Sequence, residues 1–242
     1  MSPEAVEVST VVVTLDGTPD AERALPTAVF LAEATGARVE LLSVASSGAA
    51  GELLQHALTR ASAYVEDHID EARIAYDFAT AARIVVASAP ADVLPCMATR
   101  WPLIGSVARR VLARSDGPVV LVGPDAADVS AEGCLLAYVE DLGGTVVLDV
   151  AARWVEARGR PLLAATTEDH RRAVGDSALP PDAVRLSGDP ARGVLELQRG
   201  RPVALTAVGV PTRPGARFTR ASRLAARLVR RSTSPVLAVP LR

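Results

Sequence analysis

The sequence predicts an α/β protein made of two tandem, doubly wound, five-stranded parallel sheets. Three observations carry this. Apolar, β-branched runs alternate with helical periodicity, the rhythm of parallel strands covered by helices on both faces. Two stretches are near copies: residues 107–122 read VARRVLARSDGPVVLV and residues 224–239 read LAARLVRRSTSPVLAV. Finally, 242 residues suit two domains that each bury a core. The copies align without a gap, placing Ala108 on Ala225, Arg110 on Arg227, Arg114 on Arg231, Ser115 on Ser232 and Pro118 on Pro235. Each spells an amphipathic helix, a turn and a proline-opened apolar strand, and each closes one half of the chain. The expected division is a first domain over 10–122, a linker over 123–132 and a second, trimmed domain over 133–242.

In the first half, Thr10–Leu15 is a continuous apolar run that suits a strand buried on both faces. Asp16-Gly17-Thr18-Pro19 ends it. One helix is expected from Asp20 to Thr35, with Leu25, Ala28, Val29, Leu31 and Ala32 inward and Gly36 as its stop. Val39–Val44 is the second strand, and the spacing of Leu53, Leu54, Ala57, Leu58, Ala61 and Val65 marks a second helix. Ala72–Tyr76 is a weak strand, Phe78–Ser88 a helix and Val93–Met97 the fourth strand, before the repeated helix and strand.

The second half repeats the plan. Leu135–Val139 is a strand, Val146–Ala157 a helix stopped by Gly159, and Leu162–Thr166 a strand. A short helix around Asp169–Val174 is where this copy is trimmed. Strand, helix and strand follow over Ala183–Leu186, Pro190–Gln198 and Val203–Val208. In such sheets the ligand crevice lies at the carboxyl ends of the first and fourth strands, where the winding reverses.

Composition narrows function. Apolar residues are 49% and charged residues 22%, a globular balance, and the net charge of −2 gives no global argument for nucleic acid or membrane. No apolar run reaches bilayer length, and the acidic start from Met1 to Ser9 lacks a signal-peptide core and reads as a loose tail. Cys96 and Cys134 read as reduced, buried thiols of a cytoplasmic protein, with a disulfide between them as the alternative. All 26 basic residues are arginine, so lysine chemistry is excluded: no phosphate-loop lysine, no Schiff base, no lysine base. His56, His68 and His170 have no metal-ligand spacing, and no metal site is expected.

Asp16-Gly17-Thr18 after the first strand, Cys96-Met97-Ala98-Thr99 after the fourth, and Gly105-Ser106-Val107-Ala108 opening the last helix resemble the universal stress proteins. The resemblance covers nearly all of both halves. It implies adenine nucleotide alpha hydrolase-like domains and, in the members that bind ATP, a loop of Gly, two residues, Gly, nine residues, Gly and then Ser or Thr. Glycines there let the backbone approach phosphates, and the loop ends at a helix N-terminus that favours an anion. An aspartate after the first strand faces the nucleoside.

Against that pattern both halves are degenerate. In the first, Asp16, Gly105 and Ser106 match, but Ala98 stands at the first glycine and only six residues separate it from Gly105. Trp101-Pro102 occupies the shortened loop. In the second, Gly209 and Thr212 fall at the first two glycine positions, and Ser222-Arg223 replaces the final Gly-Ser. Counting along the chain puts Val139 on Asp16, and Glu140 or Asp141 could serve instead with a small shift.

Each candidate also has a plain structural role. Asp16 suits a turn and cap, and Ser106 a helix cap. Arg220, Arg223, Arg227 and Arg230 share one helical face, which reads as an anion site or as a solvated surface. Arg213 and Arg217 precede them in the loop. Trp101 and Trp154 read as packing residues, with Trp101 in the shortened loop covering or filling the vacated pocket as the alternative.

The expected function is a non-enzymatic regulatory protein of the universal stress type, acting through protein association, with no cofactor and with ATP binding lost in both halves. The alternative is a nucleotide- or anion-sensing module, holding ATP or another adenine nucleotide at Asp16, Gly105 and Ser106 or at the arginine-lined second loop. A hydrolase finds little support in the residues. Val119–Val122 and Val236–Val239 are short apolar edge strands, and such edges pair. The halves are therefore expected to join through them as an internal pseudo-dimer. A homodimer and a protein partner that the sequence does not name are further expectations; nucleic acid and membrane are not.

Overall fold

The computed structural model describes residues 8–45, 48–67, 69–76, 85, 92–99, 106–126, 129, 132–140, 144–156, 159–174, 179–211 and 220–241. Among the described residues ten strands form one sheet: β1 (Thr10–Leu15), β2 (Arg38–Ala45), β3 (Ile69–Tyr76), β4 (Val93–Ala98), β5 (Val119–Val122), β6 (Cys134–Tyr138), β7 (Leu162–Thr167), β8 (Val184–Leu186), β9 (Val203–Pro211) and β10 (Val236–Leu241). Eight helices are described: α1 (Pro19–Glu22), α2 (Leu25–Thr35), α3 (Gly48–Tyr64), α4 (Ser106–Leu112), α5 (Gly144–Glu156), α6 (Glu168–Val174), α7 (Pro190–Gly200) and α8 (Arg220–Arg231). The expected helix over Phe78–Ser88 lies outside the described residues apart from Val85, which is helical and buried.

The strand order is β3-β2-β1-β4-β5-β10-β9-β6-β7-β8. Each half is therefore the expected doubly wound sheet, with its winding reversed between its first and fourth strands. All pairings within a half are parallel. The halves meet where β5 and β10 run antiparallel, with Val236 opposite Leu121, Leu237 opposite Val120 and Ala238 opposite Val119. The two edge strands expected to join the halves thus close a continuous sheet. Val120 and Leu237, equivalent in the repeat, face each other, and both are fully buried.

The two faces of the sheet carry two cores. One collects Leu25, Ala28 and Leu31 of α2, Leu58 of α3, and Val147, Ala151 and Trp154 of α5. The other collects Ala108 and Val111 of α4, Ala191 and Val194 of α7, and Leu224, Ala225, Leu228 and Val229 of α8. Alternate residues of β1 divide between them: Val11, Val13 and Leu15 face the first, Val12 the second. Burial pushes the thiol of Cys96 up. It also raises that of Cys134, partly opposed by Arg201. Both are free, as the reduced reading expects.

The conserved wording of the repeat has a structural cause. Ser115 N–H donates to Val111 O at 2.8 Å, and its hydroxyl donates to Gly117 O at 2.8 Å. Ser232 N–H donates to Leu228 O at 2.7 Å, and its hydroxyl donates to Ser234 O at 2.6 Å. Each serine thus satisfies a helix-end carbonyl and turns the chain into the proline-led strand.

One helix boundary differs from the sequence reading. The span from Asp20 to Thr35 is two helices, α1 and α2, divided at Arg23-Ala24. Pro26 has no N–H for the carbonyl of Glu22, so the helical ladder breaks there. Gly36 stops α2 as expected, at φ 72°, and Gly159, after α5, is also left-handed, at φ 60°.

Asp189 joins α7 to α8. Its carboxylate accepts from Arg192 N–H at 3.0 Å and from Arg227 Nη1 at 2.7 Å. The Arg227 hydrogen bond, then that of Arg192 N–H, holds its carboxyl below the ordinary range. Asp189→Ala is expected to lower stability by about 1 kcal/mol at neutral pH, the usual cost of a lost cap, in urea unfolding. The exposed ion pair adds little to this. A depressed folded pKa gives stability present above the unfolded value and lost as pH falls through the folded one. The gap between wild type and variant therefore narrows as pH falls below about 4.

Candidate functional site

The crevice expected at the carboxyl ends of β1 and β4 is present. It is a cleft of about 310 Å³ lined by Thr14, Leu15, Asp16, Asp20, Leu42, Val44, Met97 and Thr99, with Val107 and Ala108 of α4 on one side. Asp16 lies at its mouth and is exposed. Its Oδ1 accepts from the N–H of Thr18 at 3.1 Å and from the Thr18 hydroxyl. The Thr18 Oγ1 in turn accepts from Ala21 N–H at 3.4 Å and caps α1. Asp16 therefore fills the turn role as well as facing the cleft.

Arg23 braces the rim, a role that sequence reasoning missed. Its guanidinium donates to Thr99 O at 3.0 Å and Pro124 O at 2.8 Å, tying α1 to the chain leaving β4 and β5. Its Nε lies 3.7 Å from Asp20. The bland pattern of an arginine among helix acids gave no sign of this reach.

Sheet register matches the halves residue by residue. Val120 lies opposite Cys96, and its repeat partner Leu237 lies opposite Ala207, so Cys96 corresponds to Ala207. Cys96 lies opposite Val13, and Ala207 opposite Ala137, so Val13 corresponds to Ala137. The other side agrees: Val13 pairs with Leu41 and Ala137 with Ala164, equally distant from the stops Gly36 and Gly159. Asp16 therefore corresponds to Glu140, not to Val139, which takes the place of buried Leu15. The count along the chain slipped by one residue, which reverses the side-chain direction in a strand.

The same register sets Thr14, which lines the first cleft, against Tyr138. Tyr138 is 1% exposed and belongs to the core cluster of Ala165, Val208, Val210, Leu224 and Ala225. Its hydroxyl is 2.7 Å from His170 Nδ1 on α6, with the rings edge to face. In the second half an aromatic ring thus packs among the counterparts of the first cleft's walls.

The other predicted positions divide. Gly105 and Thr212 lie outside the described residues, as do Trp101, Pro102, Arg213 and Arg217. Ser106 opens α4 and Ser222 lies in the first turn of α8, with side chains outside the description. Arg223 is exposed on α8. Gly209 is not in a loop but inside β9, opposite Val239 of β10. A Cβ there would meet the end of the Leu241 side chain, with Cδ1 at 2.5 Å. The strand runs on to Pro211 because β10 continues to pair with it.

Among the described residues no group of three His, Cys, Asp or Glu side chains is placed to hold a metal. None of the described helices is long and apolar enough to cross a membrane. The cleft offers carboxylates, threonine hydroxyls and an apolar wall, a set suited to holding a small ligand.

The sequence matches no protein-family model and no curated protein. Solved structures share the fold. A universal stress protein from Archaeoglobus fulgidus DSM 4304 superposes with a TM-score of 0.75 at 14% identity, over 98% of this chain and all of that one. A functionally unknown protein from Pseudomonas aeruginosa PAO1 gives 0.69 at 14% identity, over 99% and 95%. The cytoplasmic domain of a prokaryotic cation chloride cotransporter gives 0.54 at 14% identity, over 96% and 95%. The chain thus has the tandem fold of universal stress proteins, a fold that also serves as a domain of a transporter.

Proposed function

We propose that the protein is a non-enzymatic regulatory protein of the universal stress type, working through contacts with other macromolecules. Its first half keeps a small-ligand cleft, and its second half has turned the matching place over to packing. The observation that carries this is the pair Thr14 and Tyr138, equivalent in the sheet, one lining a cleft and the other buried beside His170.

The residues do not fit a triphosphate in either half. The described lining of the first cleft includes the carboxylates of Asp16 and Asp20 and no arginine. The chain between Ala98 and Gly105 is six residues shorter than the phosphate loop needs. In the second half Tyr138 is buried among the counterparts of the first cleft's walls. Titration calorimetry with ATP and magnesium is expected to give no micromolar binding; such binding at either half overturns the reading.

The sensing alternative keeps one support, the position of Asp16 at the winding reversal, where ligands of such sheets bind. Bound nucleotide released by denaturing the purified protein, and found by mass spectrometry, decides for it.

A further inference from the structure

The repeat that joins the halves also sets two basic helices on one side of the molecule. Residues 106–114 carry Arg109, Arg110 and Arg114, and residues 220–231 carry five more arginines; neither stretch contains an acid. The net charge of the whole chain is −2, so everything outside these stretches is net acidic.

Topology brings the two stretches together. α4 links the adjacent strands β4 and β5, and α8 links β9 and β10, while β5 and β10 pair at the seam. The buried residues of both helices belong to the same core, so both lie on one face and flank the seam. Contact across it is direct: a Cβ on Gly123, just after β5, would lie 1.8 Å from the carbonyl oxygen of Val229 on α8.

Ala108, Val111, Leu224, Ala225, Leu228 and Val229 turn inward. Arg109, Arg110, Arg114, Arg223, Arg227 and Arg231 are exposed. Asp189 engages Arg227. The other five have no acidic partner among the described residues. Helix-end charge accounts for Arg114 and Arg231, but not for Arg223 in the first turn of α8, where a cation opposes the helix dipole.

We infer that this face, made jointly by α4 and α8, is a docking surface for a carboxylate-rich segment of a partner protein. Guanidinium groups pair with carboxylates through two parallel hydrogen bonds. A compact acidic segment fits a patch confined to two helices. The rest of the chain is net acidic, which opposes a long polyanion such as nucleic acid. The inference deepens the proposed function by naming the chemistry of the partner, and its failure would leave the ATP titration unaffected.

The test is fluorescence titration of the full chain with a labelled oligoglutamate peptide. Parallel arms use a DNA duplex of equal charge and anionic phospholipid vesicles. Expected is saturable peptide binding that weakens as salt rises. Arg110→Glu and Arg223→Glu each weaken it roughly tenfold or more, because one surface spans both halves. Arg153→Glu, on the helix α5 that packs on the opposite face of the sheet, leaves it unchanged. Circular dichroism checks that the variants fold, and Gln replaces Glu in any that do not. Absence of peptide binding, equal loss in the Arg153 variant, no loss in either of the other two, or tighter binding of DNA or vesicles overturns the inference.

Discussion

Leu237→Asp is expected to cost about 4 kcal/mol or more, a large part of the stability of an ordinary domain. Leu237 is fully buried, and the position opposite, Val120, is buried too. A carboxylate there loses its water and gains no partner. Val120→Asp is expected to cost a similar amount for the same reason. The decisive measurement is a double-mutant cycle by urea unfolding with Val120→Asp and Leu237→Arg. Opposed residues of an antiparallel pair bring their Cβ atoms within about 5 Å. The oppositely charged pair should therefore recover roughly 1–2 kcal/mol of the summed single costs. Additive costs would mean that the two side chains do not meet, and single costs under about 1 kcal/mol would mean that the seam contributes little.

Tyr138→Ala is expected to destabilise the chain by about 3–5 kcal/mol, the range of buried aromatic truncations. The ring is almost wholly buried in the second half's core. Tyr138→Phe keeps the volume and loses the hydroxyl contact with His170, so about 1 kcal/mol is expected. The two variants separate ring from hydroxyl in a single urea series. A loss in Tyr138→Ala no larger than that in Tyr138→Phe would show that the ring fills nothing. The proposed division into a cleft-bearing half and a packed half would then fall.

Much of this fold was legible. β1 is read to the residue from six consecutive apolar or β-branched positions, because a strand buried on both faces needs no polar side. The stops at Gly36 and Gly159 are legible because left-handed φ favours glycine. The repeat announced the seam before any strand was placed. The errors have physical causes. Pro26 divides a helix whose apolar periodicity runs on unbroken, since periodicity reports packing and not backbone hydrogen bonds. Gly209 belongs to a strand because β10 is longer than its repeated core and carries Leu241 past it.

The site was less legible than the sheet. Asp16 and its crevice follow from topology and were expected. Counting along the chain left Val139, Glu140 and Asp141 open as the counterpart, because register is fixed by pairing across strands, and the pairing selects Glu140. Tyr138 and His170 stand 32 residues apart in the sequence and meet only because β6 pairs with β7. A tyrosine in a strand otherwise made of Cys, Leu and Ala was the one available signal. It points to a crowded strand end without naming a partner.

The antiparallel seam has a consequence for how the assembly responds to dilution. A seam between two separate chains comes apart as their concentration falls, and its apparent stability depends on how much protein is present. Here both strands belong to one chain, so their encounter is unimolecular. The pairing of β5 with β10 is thereby independent of abundance. The surface that flanks it, with α4 on one side and α8 on the other, is present whole in a single molecule at any expression level.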